Sequence, residues 1–359
     1  MGWRNWGCEV SLSIDVKRCI GATQLDVQFT VAAGETVAIV GPNGAGKTSL
    51  LRVIAGLISA DEGRISWGGI VWDDASSGEF SPPDQRPLAY VFQDYALIKH
   101  LTVGDNVAFG LRARGVRRRR ARERAQEVLD VVGGRDLVER MPSSLSGGEA
   151  QTVAIARALA TEPTVMLFDE PFAALDAGAR AHARRLFSSM RSTSMARLIV
   201  THEAVEALTL ADRIVVLESG SVVQIGTPSE VLATPRSHFV AEILGLNPLS
   251  GQLRGDELSL GTMSLTVGAH GVDDGDVIAI VRPRSVSLHR ERPEGSPRNV
   301  WRTTIEAVDR SDGRVRVQLG APLPIAVEVT PAGFDALATE PDGDVWASVK
   351  ASEIVVQPA

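Results

Sequence analysis

The sequence predicts an α/β domain of about 245 residues followed by a smaller all-β domain. Before Gly245, apolar strand-like runs alternate with segments of helical periodicity, as in a parallel sheet that is covered by helices on both faces. After Asn247 and Pro248, the pattern changes to short β-like runs that are separated by glycine and aspartate. Near the start, a glycine-rich loop follows an apolar, β-branched run and precedes a helical pattern.

This strand–loop–helix unit carries a phosphate-binding loop. Residues 36–40 predict a buried strand, residues 49–57 predict a helix, and residues 41–48 between them read G-P-N-G-A-G-K-T. Glycines let the backbone curl so that N–H groups point at phosphate oxygens, and the helix N-terminus adds partial positive charge. Lys47 can reach the β- and γ-phosphates, and the Thr48 hydroxyl can hold Mg²⁺. The predicted nucleotide contacts here are Gly41, Pro42, Asn43, Gly44, Ala45, Gly46, Lys47, Thr48 and Ser49.

A second apolar strand ends in two carboxylates. Residues 165–170 read V-M-L-F-D-E, in which Asp169 is placed to hold Mg²⁺ through water and Glu170 to orient or deprotonate an attacking water. Acidic residues also end strands before ordinary turns, and Pro171 follows here. Together with residues 41–48, the pattern favours the catalytic interpretation and predicts an α/β P-loop NTPase fold.

Residues 145–149 read L-S-G-G-E and have two interpretations. Ser146 followed by Glu149 before an apolar-periodic run predicts a capping box at the start of a helix over residues 148–160. Gly147 and Gly148 would also leave N–H groups bare at that helix start, which suits a phosphate. One chain cannot easily place this helix on its own phosphate loop, whereas a second copy can.

Composition limits the function classes. The 359 residues give two domains as the first expectation, and the net charge of −7 disfavours broad nucleic-acid binding. No apolar run is long enough to span a bilayer, and the N-terminus lacks the pattern of a signal peptide. Cys8 and Cys19 are the only cysteines, which favours a reduced cytosolic state over a structural zinc site.

One basic stretch leaves two alternatives open. Residues 112–124 contain eight arginines, which are Arg112, Arg114, Arg117, Arg118, Arg119, Arg120, Arg122 and Arg124. They form either a nucleic-acid patch or a solvated helix start. The acidic chain and the following A-R-E-R-A-Q-E pattern favour the solvated helix.

These motifs resemble the ATP-binding cassette (ABC) ATPases over residues 12–244, with every motif in the family's order. The motifs are residues 41–48, Gln93 in V-F-Q-D, residues 145–149, residues 165–170, Ala174-Leu175-Asp176, and His202 in V-T-H-E. The resemblance implies a head-to-tail homodimer with two ATP molecules, each held by Lys47 of one chain and by Ser146, Gly147, Gly148 and Glu149 of the other. It also implies that Gln93 senses Mg²⁺ and the attacking water, and that His202 contacts the γ-phosphate.

The same resemblance implies a domain plan and partners. Residues 1–245 would form the ATPase domain, with a helical subdomain over about 95–162 that meets an integral membrane permease. The chain would then lie peripherally on the cytoplasmic face of the membrane. An extracytoplasmic or periplasmic substrate-binding protein would be an indirect partner. This chain departs from the family in having Glu149 where Gln is common and Thr152 where Arg is common, and residues 17–21 lack the usual aromatic residue that stacks on adenine.

Residues 246–359 predict an all-β domain that forms a small barrel, and the family resemblance implies that it is an OB-like regulatory domain. Its β-like runs are residues 258–260, 277–281, 286–288, 315–319, 325–329 and 346–349, and residues 275–288 are echoed by residues 343–356. Residues 294–357 resemble the oxyanion-binding module of molybdate importer ATPases, which implies molybdate or tungstate as a regulatory ligand. Charge, hydroxyl and amide donors suit such an anion. The candidates are Ser296, Arg298, Asn299, Lys350 and Ser352, and the alternative is that these are ordinary polar residues at strand ends.

The expected function is therefore that of an ATP- and Mg²⁺-dependent subunit of an ABC importer, which couples ATP hydrolysis to molybdate uptake through a separate permease. Sulfate or another solute is the alternative cargo. A non-transport ABC ATPase is less favoured because neither a long coiled coil nor a tandem second cassette is visible. A small-molecule kinase is disfavoured because it would not need the motif at residues 145–149.

Overall fold

The computed structural model describes residues 10–173, 175–190, 194–311, 313–337 and 343–358. Cys8 and the Ala174 of the A-L-D motif lie outside the described residues. The chain divides into two compact units between Val231 and Leu232. This division precedes the predicted boundary at 245/246 because the short helix His238–Ile243 belongs with the second unit, where Ala241 packs on Ile278 and Ile280.

The first unit is built on an 11-stranded sheet. Its strands are Ser11–Ile20 (β1), Thr23–Ala32 (β2), Thr36–Val40 (β3), Glu62–Trp67 (β4), Ile70–Asp74 (β5), Glu79–Phe80 (β6), Leu88–Val91 (β7), Val165–Asp169 (β8), Ala196–Val200 (β9), Arg213–Glu218 (β10) and Ser221–Gly226 (β11). They lie in the order β6-β5-β4-β1-β2-β11-β10-β3-β9-β8-β7.

The predicted parallel sheet accounts for about half of these strands, and most of the others are antiparallel. Strands β10, β3, β9, β8 and β7 run parallel, whereas β1 pairs antiparallel with β2 and β4, and β4, β5 and β6 continue antiparallel. The central parallel strands are mostly apolar because both of their faces are covered: all five residues of β3, β8 and β9 are buried. Strands β1 and β2 alternate buried and exposed residues instead, as half-covered strands do.

Nine helices are described in the two units. They are Lys47–Ile54 (α1), Val103–Ala113 (α2), Arg118–Val131 (α3), Gly147–Ala160 (α4), Ala177–Ser189 (α5), Ala204–Leu210 (α6), Pro228–Ala233 (α7), His238–Ile243 (α8) and Pro331–Asp335 (α9). Helices α2, α3 and α4 pack on one another within the range predicted for the helical subdomain. None of the helices in the described part of the chain combines the length and apolar composition that crossing a bilayer requires.

The second unit consists of two five-stranded antiparallel sheets that share one apolar core. Their strands are Asn247–Arg254 (β12), Glu257–Leu260 (β13), Met263–Thr266 (β14), Gly275–Val281 (β15), Val286–His289 (β16), Asn299–Ser311 (β17), Arg314–Leu319 (β18), Ala326–Val329 (β19), Asp344–Val349 (β20) and Ile354–Pro358 (β21). The sheet orders are β14-β13-β12-β15-β21 and β16-β20-β17-β18-β19. The predicted all-β character is confirmed.

The internal echo of residues 275–288 and 343–356 corresponds to an exchange of strands between the sheets. Each copy forms a strand, a single 3₁₀ turn and a second strand. The first strand of each copy pairs with the second strand of the other, so that β15 pairs with β21 and β20 pairs with β16. The two sheets are therefore joined by chain segments that cross from one to the other.

Candidate nucleotide site and candidate oxyanion site

Backbone geometry forces glycine into the phosphate loop. Gly44 and Gly46 adopt φ values of 81° and 98°, in the left-handed region that glycine enters without strain. A Cβ on Gly41 would lie 1.9 Å from the Leu217 carbonyl oxygen of β10. Helix α1 then starts with no side-chain cap, so its first N–H groups have no partner within the helix and can receive a phosphate.

The side chain of Lys47 is folded onto this loop. Its Nζ donates to the carbonyl oxygens of Gly41 at 2.7 Å and Pro42 at 2.8 Å, and the residue is only 7% exposed. Burial lowers the pKa of Lys47, and the nearby carboxylates of Glu170 and Asp169 partly offset that effect. A desolvated ammonium beside the uncapped start of α1 suits the phosphates of a nucleotide.

Asp169 has both carboxylate oxygens fixed by hydroxyl groups. Thr48 Oγ1 donates to Asp169 Oδ1, and the Tyr90 hydroxyl donates to Oδ2, each at 2.9 Å. Burial, followed by the charge of Asp169, raises the pKa of Tyr90, so this hydroxyl stays protonated and remains a donor. The paired oxygen ligands of Thr48 and Asp169 are those that Mg²⁺ prefers.

Glu170 lies between the two other predicted catalytic residues. Gln93 Nε2 is 3.5 Å from Glu170 Oε2, and His202 Nδ1 is 3.4 Å from the same oxygen. Glu170 adopts a φ of 47°, unusual for a residue with a side chain, while its N–H donates to Val200 at 3.0 Å. The end of β8 therefore turns sharply and directs this carboxylate to the edge where β7 and β9 also end, which brings Gln93, Glu170 and His202 together.

Residues 146–149 form the predicted capping box at the start of α4. Ser146 Oγ accepts from the Glu149 N–H at 3.3 Å, and Glu149 Oε2 accepts from the Ser146 N–H at 2.7 Å. Arg140 also pairs with Glu149 at 2.7 Å. These hydrogen bonds lower the pKa of Glu149, so it is an anion.

The motif of residues 146–149 and the phosphate loop are not hydrogen-bonded to each other among the described residues. Gly148 instead lies against α5, where a Cβ would be 2.8 Å from the Ala179 Cβ. Asp176 of the A-L-D motif caps that helix by accepting from the Ala179 N–H at 2.8 Å. Thr152, which departs from the family pattern, donates to the Gly148 carbonyl at 2.9 Å.

The five candidate oxyanion residues of the second unit have different surroundings. Asn299 is buried and its amide is already paired: the Oδ1 accepts from the Thr266 N–H at 2.6 Å, and the Nδ2 donates to the Thr266 carbonyl at 2.8 Å. The other four, Ser296, Arg298, Lys350 and Ser352, are exposed. Asn299 therefore has a structural partner that the sequence did not reveal.

Asn247 repeats this arrangement on the other sheet. Its Oδ1 accepts from the Ala326 N–H and its Nδ2 donates to the Ala326 carbonyl, both at 2.8 Å. Asn247 begins β12 of the first sheet and pairs with β19 of the second, whereas Asn299 begins β17 of the second sheet and pairs with the end of β14 in the first. The two asparagines thus join the sheets reciprocally.

Sequence reasoning missed Tyr90 in the nucleotide site. Tyr90 lies in a short apolar run ahead of Gln93, and no role was predicted for it. The sequence alone does not reveal this contact, because it depends on the register of β7 on β8, in which Tyr90 is paired with Leu167, two residues before Asp169.

Two family models match separate parts of the chain. Residues 25–173 match the ABC transporter family, and residues 295–356 match the TOBE domain family.

Curated relatives match most of the length. The molybdenum import ATP-binding protein ModC of Mycobacterium tuberculosis is 40% identical over 96% of this chain and 97% of its own length. The sulfate/thiosulfate import ATP-binding protein CysA of Brucella melitensis is 42% identical to this chain, over 85% of this chain and 84% of its own length. The CysA of Photorhabdus laumondii is 41% identical over 81% of each chain.

Solved structures match the first part of the fold. An ATP-binding cassette of an ABC transporter in its ADP conformation gives a TM-score of 0.56 at 25% identity, over 66% of this chain and 98% of that one. A nucleotide-free ATP-binding cassette gives a TM-score of 0.56 at 26% identity, with the same coverage.

Proposed function

Because the chain belongs to the ATP-binding proteins of ABC transporters, we propose that it hydrolyses ATP to drive molybdate import through a separate membrane permease. The observation that most strongly supports ATP hydrolysis is that two sets of side chains meet at one edge of the sheet, around the end of β8. Thr48 and Tyr90 hold Asp169, and Gln93 and His202 flank Glu170 next to it.

The residues divide the chemistry among themselves. Lys47 and the N–H groups at the start of α1 bind the β- and γ-phosphates, while Thr48 and Asp169 would hold Mg²⁺ directly or through water. A bound Mg²⁺ would supply positive charge next to the phosphate oxygens. Glu170 orients the attacking water and accepts its proton, and Gln93 and His202 fix the position of that water and of the γ-phosphate.

We propose that a second copy of the chain completes each nucleotide site. The start of α4 is an ordered phosphate-binding surface, because Gly147 and Gly148 expose N–H groups and the Ser146 hydroxyl is at its tip. The contacts of this motif with residues 140, 152 and 179 lie within the first unit and none reaches the phosphate loop in the described residues. A head-to-tail homodimer would supply Ser146 to the nucleotide held by Lys47 of the partner.

Molybdate is the cargo best supported by the coverage of the relatives. ModC aligns over 96% of the chain and therefore through the second unit, whereas the CysA proteins align over 81% and 85%. The second unit is also where the sequence predicts a tetrahedral oxyanion, at Ser296, Arg298, Asn299, Lys350 and Ser352, of which all but Asn299 are exposed. Molybdate or tungstate would then act there as a regulatory ligand.

Sulfate is the second candidate cargo, because the CysA relatives are as identical to this chain as ModC is. Sulfate and molybdate are both doubly charged and tetrahedral, so the same donors can serve either anion. Size separates them, since a site built for the larger anion leaves donors unpaired around the smaller one.

The proposed location at the membrane follows from the proposed binding to the permease. We place the chain on the cytoplasmic face of the membrane, bound to the permease through the segment of α2, α3 and α4, with an extracytoplasmic or periplasmic binding protein delivering the solute.

Thermal melting of the full chain tests the cargo. Molybdate and tungstate should raise the melting temperature more than sulfate at equal concentration, because a ligand that binds only the native state stabilises it. Equal shifts would favour the sulfate alternative. Phosphate release from ATP without an added acceptor tests the hydrolytic part independently, since a kinase would release none.

A further inference from the structure

The helical segment of the first unit carries a basic surface that the nucleotide site does not use. This arginine surface covers the end of α2, the turn after it and the first half of α3. It consists of Arg112, Arg114, Arg117, Arg118, Arg119, Arg120, Arg122 and Arg124. All of them except Arg124 are exposed. The sequence favoured an ordinary solvated helix start here, which acidic partners would neutralise.

The ion pairs of this surface account for only part of its charge. Arg119 pairs with Glu123 at 3.3 Å, Arg122 with Asp105 at 3.0 Å, and Arg124 with Glu127 at 3.0 Å and Glu162 at 3.1 Å. The remaining five have no ion pair within the described residues; they are Arg112, Arg114, Arg117, Arg118 and Arg120. Arg112 and Arg118 help to lower the pKa of Asp105, but Arg122 already pairs with that carboxylate. A net positive patch therefore remains on a chain whose charge is −7.

An exposed aromatic ring accompanies the arginines. Phe109 is 48% exposed and lies three residues before Arg112 on α2, so the two side chains share one face of that helix. An apolar ring next to guanidinium groups suits the boundary of a bilayer, where the charges meet phosphate headgroups and the ring enters the apolar layer.

We propose that the arginine surface binds the anionic phospholipid headgroups of the membrane that holds the permease. The proposal rests on the membrane location proposed above. A bilayer fits better than a nucleic acid, because the chain as a whole is acidic, with a net charge of −7, and would repel a long polyanion. Contact with lipid would add to the attachment that the permease provides, since two weak attachments on one surface reinforce each other.

Flotation of the full chain with lipid vesicles tests this proposal. Wild-type protein should bind vesicles of phosphatidylcholine and phosphatidylglycerol, and should bind vesicles of phosphatidylcholine alone much more weakly. Binding should be lost at about 0.5 M salt, where charges are screened over a few ångströms. The triple variant R117Q/R118Q/R120Q should bind the anionic vesicles on the order of a hundredfold more weakly, given the contribution of each basic residue near an anionic surface.

The matched control removes three exposed arginines of the second unit, in the variant R254Q/R282Q/R290Q. It changes the net charge equally and should keep vesicle binding. Equal losses in both triple variants, or equal binding of wild type to neutral and anionic vesicles, would overturn the proposal. So would patch-dependent binding of single-stranded RNA by a protein that ignores both vesicles.

ATP hydrolysis in solution, measured on all three proteins, separates this inference from the proposed function. Because the arginine surface contacts none of the nucleotide residues, the variants should hydrolyse ATP at the wild-type rate. A hydrolysing protein that ignores lipid refutes only the lipid contact. A wild-type protein that binds lipid without hydrolysing ATP refutes only the enzymatic proposal.

Discussion

The phosphate loop and the oxyanion cluster are both predicted to bind tetrahedral anions, and their local structures differ sharply. In the loop, Lys47 is 7% exposed and bonded to two carbonyls, and the neighbouring Asp169 is 5% exposed with both oxygens paired. In the cluster, four of five residues are exposed, and the fifth, Asn299, is committed to Thr266.

This difference indicates what determines the affinity for an anion in each region. The loop is a contiguous run of eight residues whose observed backbone path requires glycine at positions 41, 44 and 46. Lys47 is already held on this loop by two carbonyl groups, so part of the site is ordered before a ligand arrives. The exposed side chains of the cluster must lose rotamer freedom when they bind. We therefore expect large effects from substitutions in the nucleotide site and small ones in the cluster.

The largest expected effect is that of Glu170→Gln. The amide keeps the size of the side chain but cannot take a proton from water, so turnover should fall by about 10²–10⁴-fold. ATP should still bind, and an ATP-bound dimer should accumulate. Phosphate release and light scattering with ATP and Mg²⁺ measure the two effects, with Glu162→Gln as an exposed control. Wild-type turnover in the variant would remove Glu170 from the catalytic role.

A mixing experiment tests whether the nucleotide site is shared between chains. Lys47→Ala and Ser146→Arg should each be nearly inactive alone, because both sites of either homodimer are damaged. A mixed dimer has one intact site and one doubly damaged site, so an equal mixture should recover roughly a quarter of wild-type activity. An equal mixture that stays inactive while dimers form would argue that each chain completes its own site.

Asn299→Ala probes the buried member of the oxyanion cluster. The substitution leaves the Thr266 N–H and carbonyl without their partner, so the free energy of unfolding should fall by about 1–3 kcal/mol. Asn247→Ala, which unpairs Ala326 in the same way, should cost a similar amount. Denaturant unfolding measures both. A loss of oxyanion binding in Asn299→Ala with unchanged stability would instead place Asn299 in the ligand site.

The fold could be predicted from sequence where the periodicity was strong. The strand over residues 36–40 agrees with β3, and the helix predicted over residues 148–160 begins one residue earlier in the structure, as α4. The antiparallel half of the first sheet was missed, because its half-covered strands mix polar and apolar residues. Strand β17 was missed for the same reason: Trp301 and Ile305 are buried, while the arginine and glutamate between and after them face outward.

The site was predictable where the chemistry is carried by a contiguous motif, and less so where it depends on pairing across strands. Residues 41–48 and 165–170 gave Lys47, Thr48, Asp169 and Glu170 directly. Tyr90 could not be assigned, because a tyrosine in an apolar strand is more often a core residue. Only the register of β7 on β8 places its hydroxyl against Asp169. The partner of Asn299 could not be predicted either, since Thr266 is 33 residues away in the sequence.

Tyr90→Phe should have an intermediate effect within the nucleotide site. It removes one of the two hydroxyl groups that fix Asp169, without changing the ring. The nucleotide should then need about tenfold more free Mg²⁺ to bind, which corresponds to the loss of a hydrogen bond to a charged group. Binding of a fluorescent ATP analogue, titrated with and without Mg²⁺, measures this. Metal-free binding should be unchanged. A drop in metal-free binding would mean that Tyr90 supports the loop in general.

The smallest expected effect is that of Arg298→Ala on molybdate binding. Among the exposed candidates, Arg298 offers a bidentate fork, so it should matter more than Ser296, Lys350 or Ser352. Yet an exposed guanidinium in water contributes little to any single contact, and we expect only about a three- to tenfold loss of affinity. Calorimetry on the full chain with molybdate, tungstate and sulfate measures it, with Arg290→Ala as the exposed control. A loss as large as that of Lys47→Ala for ATP would show that the cluster becomes buried around its ligand, in which case the contrast between the two anion sites describes only the ligand-free protein.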